Sequence, residues 1–428
     1  MTGKILNDCF QPFEQRMRHA EAIALLRSRI APIASVEQVP LEQALGRIIA
    51  EPIVSPRPVP AHTNAAVDGY AFAHESYDRA SGTTFVIAAR AAAGHPVGEP
   101  PAGTAVRIFT GAVMPAGFDT VAMQEDCEVL PAEAGAKVRV RIPGGLKQGA
   151  NVRLAGEDVA VGETLFTPGH ILRPQDLAAL TSIGLDKVSC FAPLRLAIVS
   201  TGDEIVRPGA GELGPGQVFD ANAPMLVGLS KLAGCITEDL GIWPDDAAEV
   251  RRRLAEAAQS FDVVLTSGGA SRGEEDHMGA ALAALGTRHF WSLAIKPGRP
   301  MMFGQIGKSI VVGLPGNPVA VFVCFLMYVW PMLRRLSGAV WPEPRRLPMK
   351  AAFDFPNRKT GRREFWRGFF VETPEGLAVD KFKRDGSGLI TGLRQADGII
   401  DIPEDVAEVK RGDTVAFIPF TEFGILNR

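Results

Sequence analysis

At 428 residues the chain is long enough for several domains, and its net charge of −3 supplies no positive field for nucleic acid or an acidic membrane. Its five cysteines, Cys9, Cys127, Cys190, Cys235 and Cys324, are scattered without a CxxC pair, which argues against a disulfide framework or thiolate zinc site and fits a reducing cytoplasm. No apolar signal core precedes the charged residues of the first twenty positions.

Residues 13–30 space Met17, Ala20, Ile23, Ala24 and Ile30 at helical intervals and predict an amphipathic helix. Residues 51–63 (EPIVSPRPVPAHT) hold four prolines in thirteen positions, the pattern of a stiff, extended connection. From 67 to 142, short runs such as FVIAARAAAG, AVRIFTG and KVRVRI are separated by Gly and Pro turns and predict a small β-rich domain. The glycine-rich 144–170 stretch and a helical stretch at 174–185 are expected to lead the chain back to the N-terminal region.

Residues 194–336 alternate strands with helices. Strands are expected at 194–200, 235–242, 263–267, 290–295 and 310–313, and helices at 224–233, 245–260, 275–285 and 319–336. In the second helix Val250, Leu254, Ala257, Ala258 and Phe261 make one apolar face. This alternation predicts a doubly wound sheet. The uncharged run 309–333 is long enough to span a bilayer, but GLPGNP at 313–318 breaks it, so a buried strand–turn–helix is expected. From 344 onward β signals return (LPMKAAFDF, EFWRGFFVE, GIIDIP, DTVAFIPF) and predict a C-terminal β domain.

Chemistry concentrates where these strands end. LRLAIVSTGDE (194–204) delivers Asp203 and Glu204 to the carboxyl edge of a parallel strand, where oxygen ligands suit Mg²⁺; capping by Asp203 is the alternative. SGGASRGEED (267–276) sets Ser267, Gly268, Gly269, Ser271 and Arg272 around a turn before a helix, a donor set for phosphate. There Glu274 and Glu275 read as caps and Asp276 as functional. No GxxxxGK[ST] motif occurs. In LAIKPGRPMMFG (293–304) Lys296 and Arg299 flank a stiff Pro-Gly turn, as bound cations or as solvated surface charge. GLPGNP, with Pro315, Gly316, Asn317 and Pro318, is a third glycine turn feeding a helix, and capping alone would explain Asn317. Asp68 in NAAVDGYA and Thr110 in TGAVMP each read, alone, as turn chemistry. RKTGRREFWRG (358–368) and KFKRDGS (381–387) form either a basic patch or the charged outer face of an antiparallel sheet. The seven histidines are dispersed, with no Ser–His–Asp set or histidine metal site.

Taken together, these motifs resemble the molybdopterin molybdenumtransferase family, which includes the C-terminal domain of gephyrin. The resemblance runs through nearly the whole chain in order: DGYA, TGAVMP, GEDV, STGDE, Asp220-x-Asn222, SGGASRGEED, AIKPGRP, GLPGNP and GRREFWRG. It implies an α/β multidomain fold whose central molybdopterin-binding-type domain (187–340) has a mixed or parallel sheet. It also implies β-rich domains at 54–152 and 345–428, and an elongated, discontinuous N-terminal helical and β region from 10–53 with 153–186. An elongated homodimer is implied, its active site between the central domain of one subunit and the C-terminal β domain of the other. The reaction implied inserts molybdate into adenylylated molybdopterin with Mg²⁺ and releases AMP.

Carried over by residue, Glu204 and Asp276 would hold Mg²⁺. Ser267, Gly268, Gly269, Ser271, Gly316 and Asn317, flanked by Pro315 and Pro318, would bind the pyrophosphate, while Lys296, Arg299 and Arg362 would face molybdate. Asp68, Thr110, Asp158, Asp220, Asn222, Asp245 and Ser387 would sit in or around the cleft, with Asp68 and Thr110 supplied by either subunit. Two departures stand out: Ser292 where relatives often carry lysine, and Asp276-His277 where aspartate–tyrosine is common. Implied partners are the adenylyltransferase of the preceding step and cofactor-accepting proteins, in the cytoplasm, with neither nucleic acid nor membrane. Two other readings are molybdopterin adenylyltransferase, against which the flanking β domains argue, and a non-catalytic gephyrin-like scaffold, which intact Asp68, Glu204 and Asp276 disfavour.

Overall fold

A computed structural model describes residues 16–131, 136–209, 211–268, 277–384 and 386–426. The first helix, α1, is His19–Arg29. It turns His19, Ala22 and Leu26 inward and leaves Ala20 and Ala24 exposed, so the buried stripe is rotated from the one that the apolar spacing predicts. The rotation follows from His19, which takes a core position because its Nδ1 is 2.9 Å from the Tyr328 hydroxyl. This helix packs, with Met17 and Ile30, on the hydrophobic core of the central domain.

Strand Val36–Pro40 pairs antiparallel with Lys187–Phe191, and Ile53–Val54 with Thr164–Phe166. Two distant parts of the chain thereby share a core of Val39, Ile49, Phe166, Leu172, Leu180 and Val188, with helix α2 (Pro174–Ser182) beside it. Between them lies a six-stranded sheet in the order Thr120–Met123, Gly69–Phe72, Thr104–Ile108, Thr83–Ala91, Arg139–Ile142, Glu128–Leu130.

The central domain holds strands β1 (Arg195–Thr201), β2 (Ile236–Trp243), β3 (Val263–Ser267), β4 (Thr287–Ser292), β5 (Pro300–Ile306) and β6 (Ser309–Leu314). Their order is β2-β1-β3-β6-β5-β4; the first four run parallel, and β5 is antiparallel to both neighbours. Alternate residues of β1 serve opposite cores. Leu196 and Ile198 face α3 (Asn222–Leu232) and α6 (Pro318–Leu336), whereas Ala197 and Val199 face α4 (Ala247–Ser260) and α5 (His277–Leu285). That two-sided burial is why the strand reads as an unbroken apolar run. Helix α6 is long and apolar enough to cross a membrane, but 89% of its most apolar window is buried inside the protein. A π-helical turn interrupts it at Phe325–Val329.

Two details depart from the sequence reading. The 290–295 run is not one strand: β4 ends at Ser292, and Ile295–Lys296 pairs with the C-terminal sheet. The chain bends between them because the Leu293 amide donates to the Arg299 carbonyl and the Ala294 amide to Met17. Strand β5, unforeseen after the basic turn, then fills the place between β4 and β6.

The C-terminal domain is a closed sheet. Strand β7 (Arg363–Thr373) pairs with both Gly376–Lys381 and Gly398–Ile402, and Leu347–Ala351 and Thr414–Pro419 complete the ring. Phe420 and Phe423 meet Phe322 and Trp330 of α6 edge-to-face, with ring centroids 5.2 and 5.1 Å apart. The two domains therefore share one continuous core.

Candidate active site

The turns after β1, β3 and β6 lie side by side at the carboxyl edge, because those strands are neighbours. The chain goes from β1 out to β2 and returns past β1 to β3, so the topological switch falls between β1 and β3, where such sheets bind ligands. Each turn has a local reason for its shape. Gly202 (φ +130°) lets the β1 turn pass beneath the Glu204 carboxylate. Gly268 (φ +88°) lies so close to Thr201 that an added Cβ would be 2.8 Å from its carbonyl oxygen.

Asp220 and Asn222 brace these turns from beneath. Asp220 is 4% exposed; it accepts from the Ser200 hydroxyl at 2.5 Å and caps the start of α3 through the Asn222 and Ala223 amides. The Asn222 side-chain amide donates to Ser267 Oγ and to the Gly316 carbonyl, both at 2.7 Å. Three turns are thus tied to one helix end.

A cavity of about 750 Å³ opens from this edge towards the C-terminal barrel. On the central side its walls include Gly268, Ser292, Lys296, Arg299, Pro315, Gly316 and Asn317; the barrel adds Arg362, Trp366, Lys381 and Ser387. Asn317 occupies the N-cap position of α6, yet its side chain makes no capping bond and faces the cavity instead. Ser387 is fixed by its carbonyl, which accepts from the Val319 amide, while Arg367 ties down its loop through the Gly386 and Leu389 carbonyls. Ser292 opens onto the cavity and contributes a hydroxyl there.

Other candidate residues lie elsewhere. Asp203 and Glu204 are exposed at the β1 turn, outside the cavity lining, and their carboxylates have no hydrogen-bond or ion-pair partner among the described residues. Asp245 stands 3.5 Å from Nε2 of His277, the second departure from the common pattern. Asp68 accepts from the Thr110 amide at 2.8 Å and its hydroxyl at 2.7 Å, bonds that hold its carboxyl below the ordinary range. That pair and the exposed Asp158 belong to the N-terminal half and do not line the cavity. Pro318 begins α6. Gly269, Ser271, Arg272, Glu274, Glu275 and Asp276 lie outside the described residues.

As a donor set, unpartnered exposed carboxylates suit a hard cation that keeps most of its water, such as Mg²⁺. No cluster of three or more potential ligands for a metal occurs among the described residues. Individual residues that the sequence reading passed over are Glu364, Trp366, Arg367 and Lys381. For Glu364 and Trp366 a signal was available: they lie in the strand Arg363–Thr373 at the two-residue spacing that shares a face, continuing from Arg362 just before it.

Comparison with known proteins gives a consistent result. Residues 17–184 match the MoeA N-terminal region (domain I and II), 197–335 a probable molybdopterin binding domain, and 348–420 the MoeA C-terminal region (domain IV). The chain is 36% identical over 387 residues to the molybdopterin molybdenumtransferase of Haemophilus influenzae, covering 90% of this chain and 94% of that protein. It is 31% identical over 417 residues to molybdopterin molybdenumtransferase 2 of Mycobacterium tuberculosis, covering 92% and 96%. Among solved structures, the molybdopterin biosynthesis moeA protein of Pyrococcus horikoshii OT3 superimposes with a TM-score of 0.80 at 30% identity, over 95% of this chain and all of that one. The chain belongs to the molybdopterin molybdenumtransferase family and is a transferase.

Proposed function

We propose that the cavity between the sheet edge and the barrel binds adenylylated molybdopterin and molybdate, and that the protein inserts the metal at the dithiolene with release of AMP. The observation that carries this reading is the composite wall of the 750 Å³ cavity, where glycine turns with Lys296 and Arg299 on the central side face Arg362 and Lys381 of the barrel. The turns at Ser267–Gly268 and Gly316–Asn317 orient the pyrophosphate. Lys296, Arg299 and Arg362 offset the two negative charges of molybdate. The barrel wall excludes water around the reacting groups, which strengthens each of these interactions.

Glu204, with Asp276, is the proposed holder of Mg²⁺, which when bound stabilises charge developing on phosphoryl oxygens. Glu204 is the stronger of the two neighbouring acids for this role, because its carboxylate folds back over Gly202 towards the strand edge. The Asp68–Thr110 pair lies off its own chain's cavity, which supports a homodimer in which another copy presents it. Handover from an adenylyltransferase and delivery to cofactor-accepting proteins, in the cytoplasm, complete the proposal.

The test supplies purified protein with adenylylated molybdopterin, molybdate and Mg²⁺. AMP release together with active cofactor is expected; release of neither would sink the proposal. Glu204→Ala should lose AMP release while keeping the oligomeric state of the parent.

A further inference from the structure

We propose that Glu364 is the positioning residue of the cavity's oxyanion wall. The inference rests on the reading that this wall takes molybdate. Lys296 and Glu364 are direct partners across the short parallel pairing that joins the two domains. Arg362, immediately before β7, and Glu364 and Trp366 within it follow one another at the two-residue spacing that shares a face. The Glu364 side chain is 2% exposed, so it faces its neighbours rather than solvent.

Its carboxylate is held at both oxygens. Oε1 accepts from Arg362 Nε at 2.9 Å, and Oε2 accepts from the Trp366 indole at 2.9 Å. Lys296 Nζ stands 3.8 Å from Oε2 and Arg358 Nε 3.7 Å from Oε1. Arg358 is otherwise committed to the carbonyls of Val406 and Arg362. One buried carboxylate therefore gathers three cations and leaves a surplus of two positive charges beside the cavity.

The bond to Arg362 uses Nε alone, and no other hydrogen bond holds that side chain among the described residues. Its terminal amino groups remain for a doubly charged oxyanion, in the forked geometry that guanidinium offers. Without Glu364, Arg362 loses its anchor and Lys296 its facing charge across the domain seam. Glu364 itself does not line the cavity, so it acts through Arg362 and Lys296.

Glutamine is a demanding probe because it keeps the shape but has one acceptor oxygen. Either the indole or Arg362 Nε would then face an –NH₂ group, donor against donor. The experiment titrates the intact protein with sodium molybdate, and separately with AMP, by calorimetry, beside thermal melting. Glu364→Gln should weaken molybdate binding about tenfold or more, the effect of losing a charged hydrogen bond. Trp366→Phe, which removes one bond to Glu364, should weaken it about two- to threefold, and AMP affinity should stay unchanged in Glu364→Gln, whose altered side chain does not line the cavity.

Equal or tighter molybdate binding by Glu364→Gln would overturn this inference alone. Parallel loss of molybdate and AMP binding with a lowered melting temperature would also overturn it, since that marks general destabilisation. Failure of the parent protein to bind molybdate would remove the functional reading, and the inference with it.

Discussion

His19 shows how far a single residue's surroundings can depart from its sequence neighbourhood. It sits in a charged, surface-like stretch, yet it is 6% exposed between Tyr328 and Phe365, with ring centroids 5.5 and 5.3 Å away. Burial, reinforced by the charges of Arg363 and Arg346 and opposed by Asp401, lowers its pKa from 6.5 to about 4. The folded state therefore prefers neutral His19, and its contribution is whole above pH 6.5 and lost as pH falls towards 4. Denaturant titrations across that window should show a loss on the order of 3 kcal/mol, which His19→Leu should flatten. A slope that His19→Leu leaves intact would assign the effect to other groups. Asn222 is the second residue to test. Removing its amide leaves Ser267 and the Gly316 carbonyl unbridged, so Asn222→Ala should cost about 1–3 kcal/mol and slow AMP release, read by melting and turnover. The glycine turns marked Asn317 and Lys296 as candidates and the family resemblance marked Asn222, but neither could separate brace from cavity wall. That distinction depends on which neighbour takes each side chain's hydrogen bonds.

At the level of elements, the alternation of strands and helices was legible because β1, β3 and β6 are covered on both faces and so read as plain apolar runs. Helix α4 was legible for the opposite reason: only Val250, Leu254 and Ala257 face inward, and its other side is charged. Strand β5 was missed because its residues follow a proline-rich turn, and only the antiparallel partners at β4 and β6 make them a strand. The turn itself is tightly constrained. Gly298 has φ +90°, and a Cβ there would lie 2.4 Å from Cys324 Sγ on α6. Gly298→Ala should therefore displace Lys296 and Arg299, lowering stability by about 1–3 kcal/mol and weakening molybdate binding. An unshifted melting temperature with unaltered molybdate affinity would show that α6 yields at Cys324.

Across the whole molecule, the central domain and the barrel are joined by a common core as well as by the cavity. Phe420 and Phe423 are 4% and 1% exposed against α6. Phe423→Ala should cost about 3–5 kcal/mol, the usual range for emptying an aromatic core site, and lower a single melting transition rather than split it. Two separate transitions in the parent protein would contradict that coupling. Sequence order revealed the domains' succession but not this union, because contact between α6 and residues 420–423 links positions about a hundred residues apart. The strand Ile295–Lys296 carries a further consequence. It is encoded within the central domain but hydrogen-bonded into the other domain's sheet. Cutting the gene at the apparent boundary near 340 would leave the excised barrel with bare amide and carbonyl groups along Arg363–Glu364. Such an unpaired rim invites self-association, so a soluble barrel fragment would need residues 293–297 grafted back on as a tethered peptide.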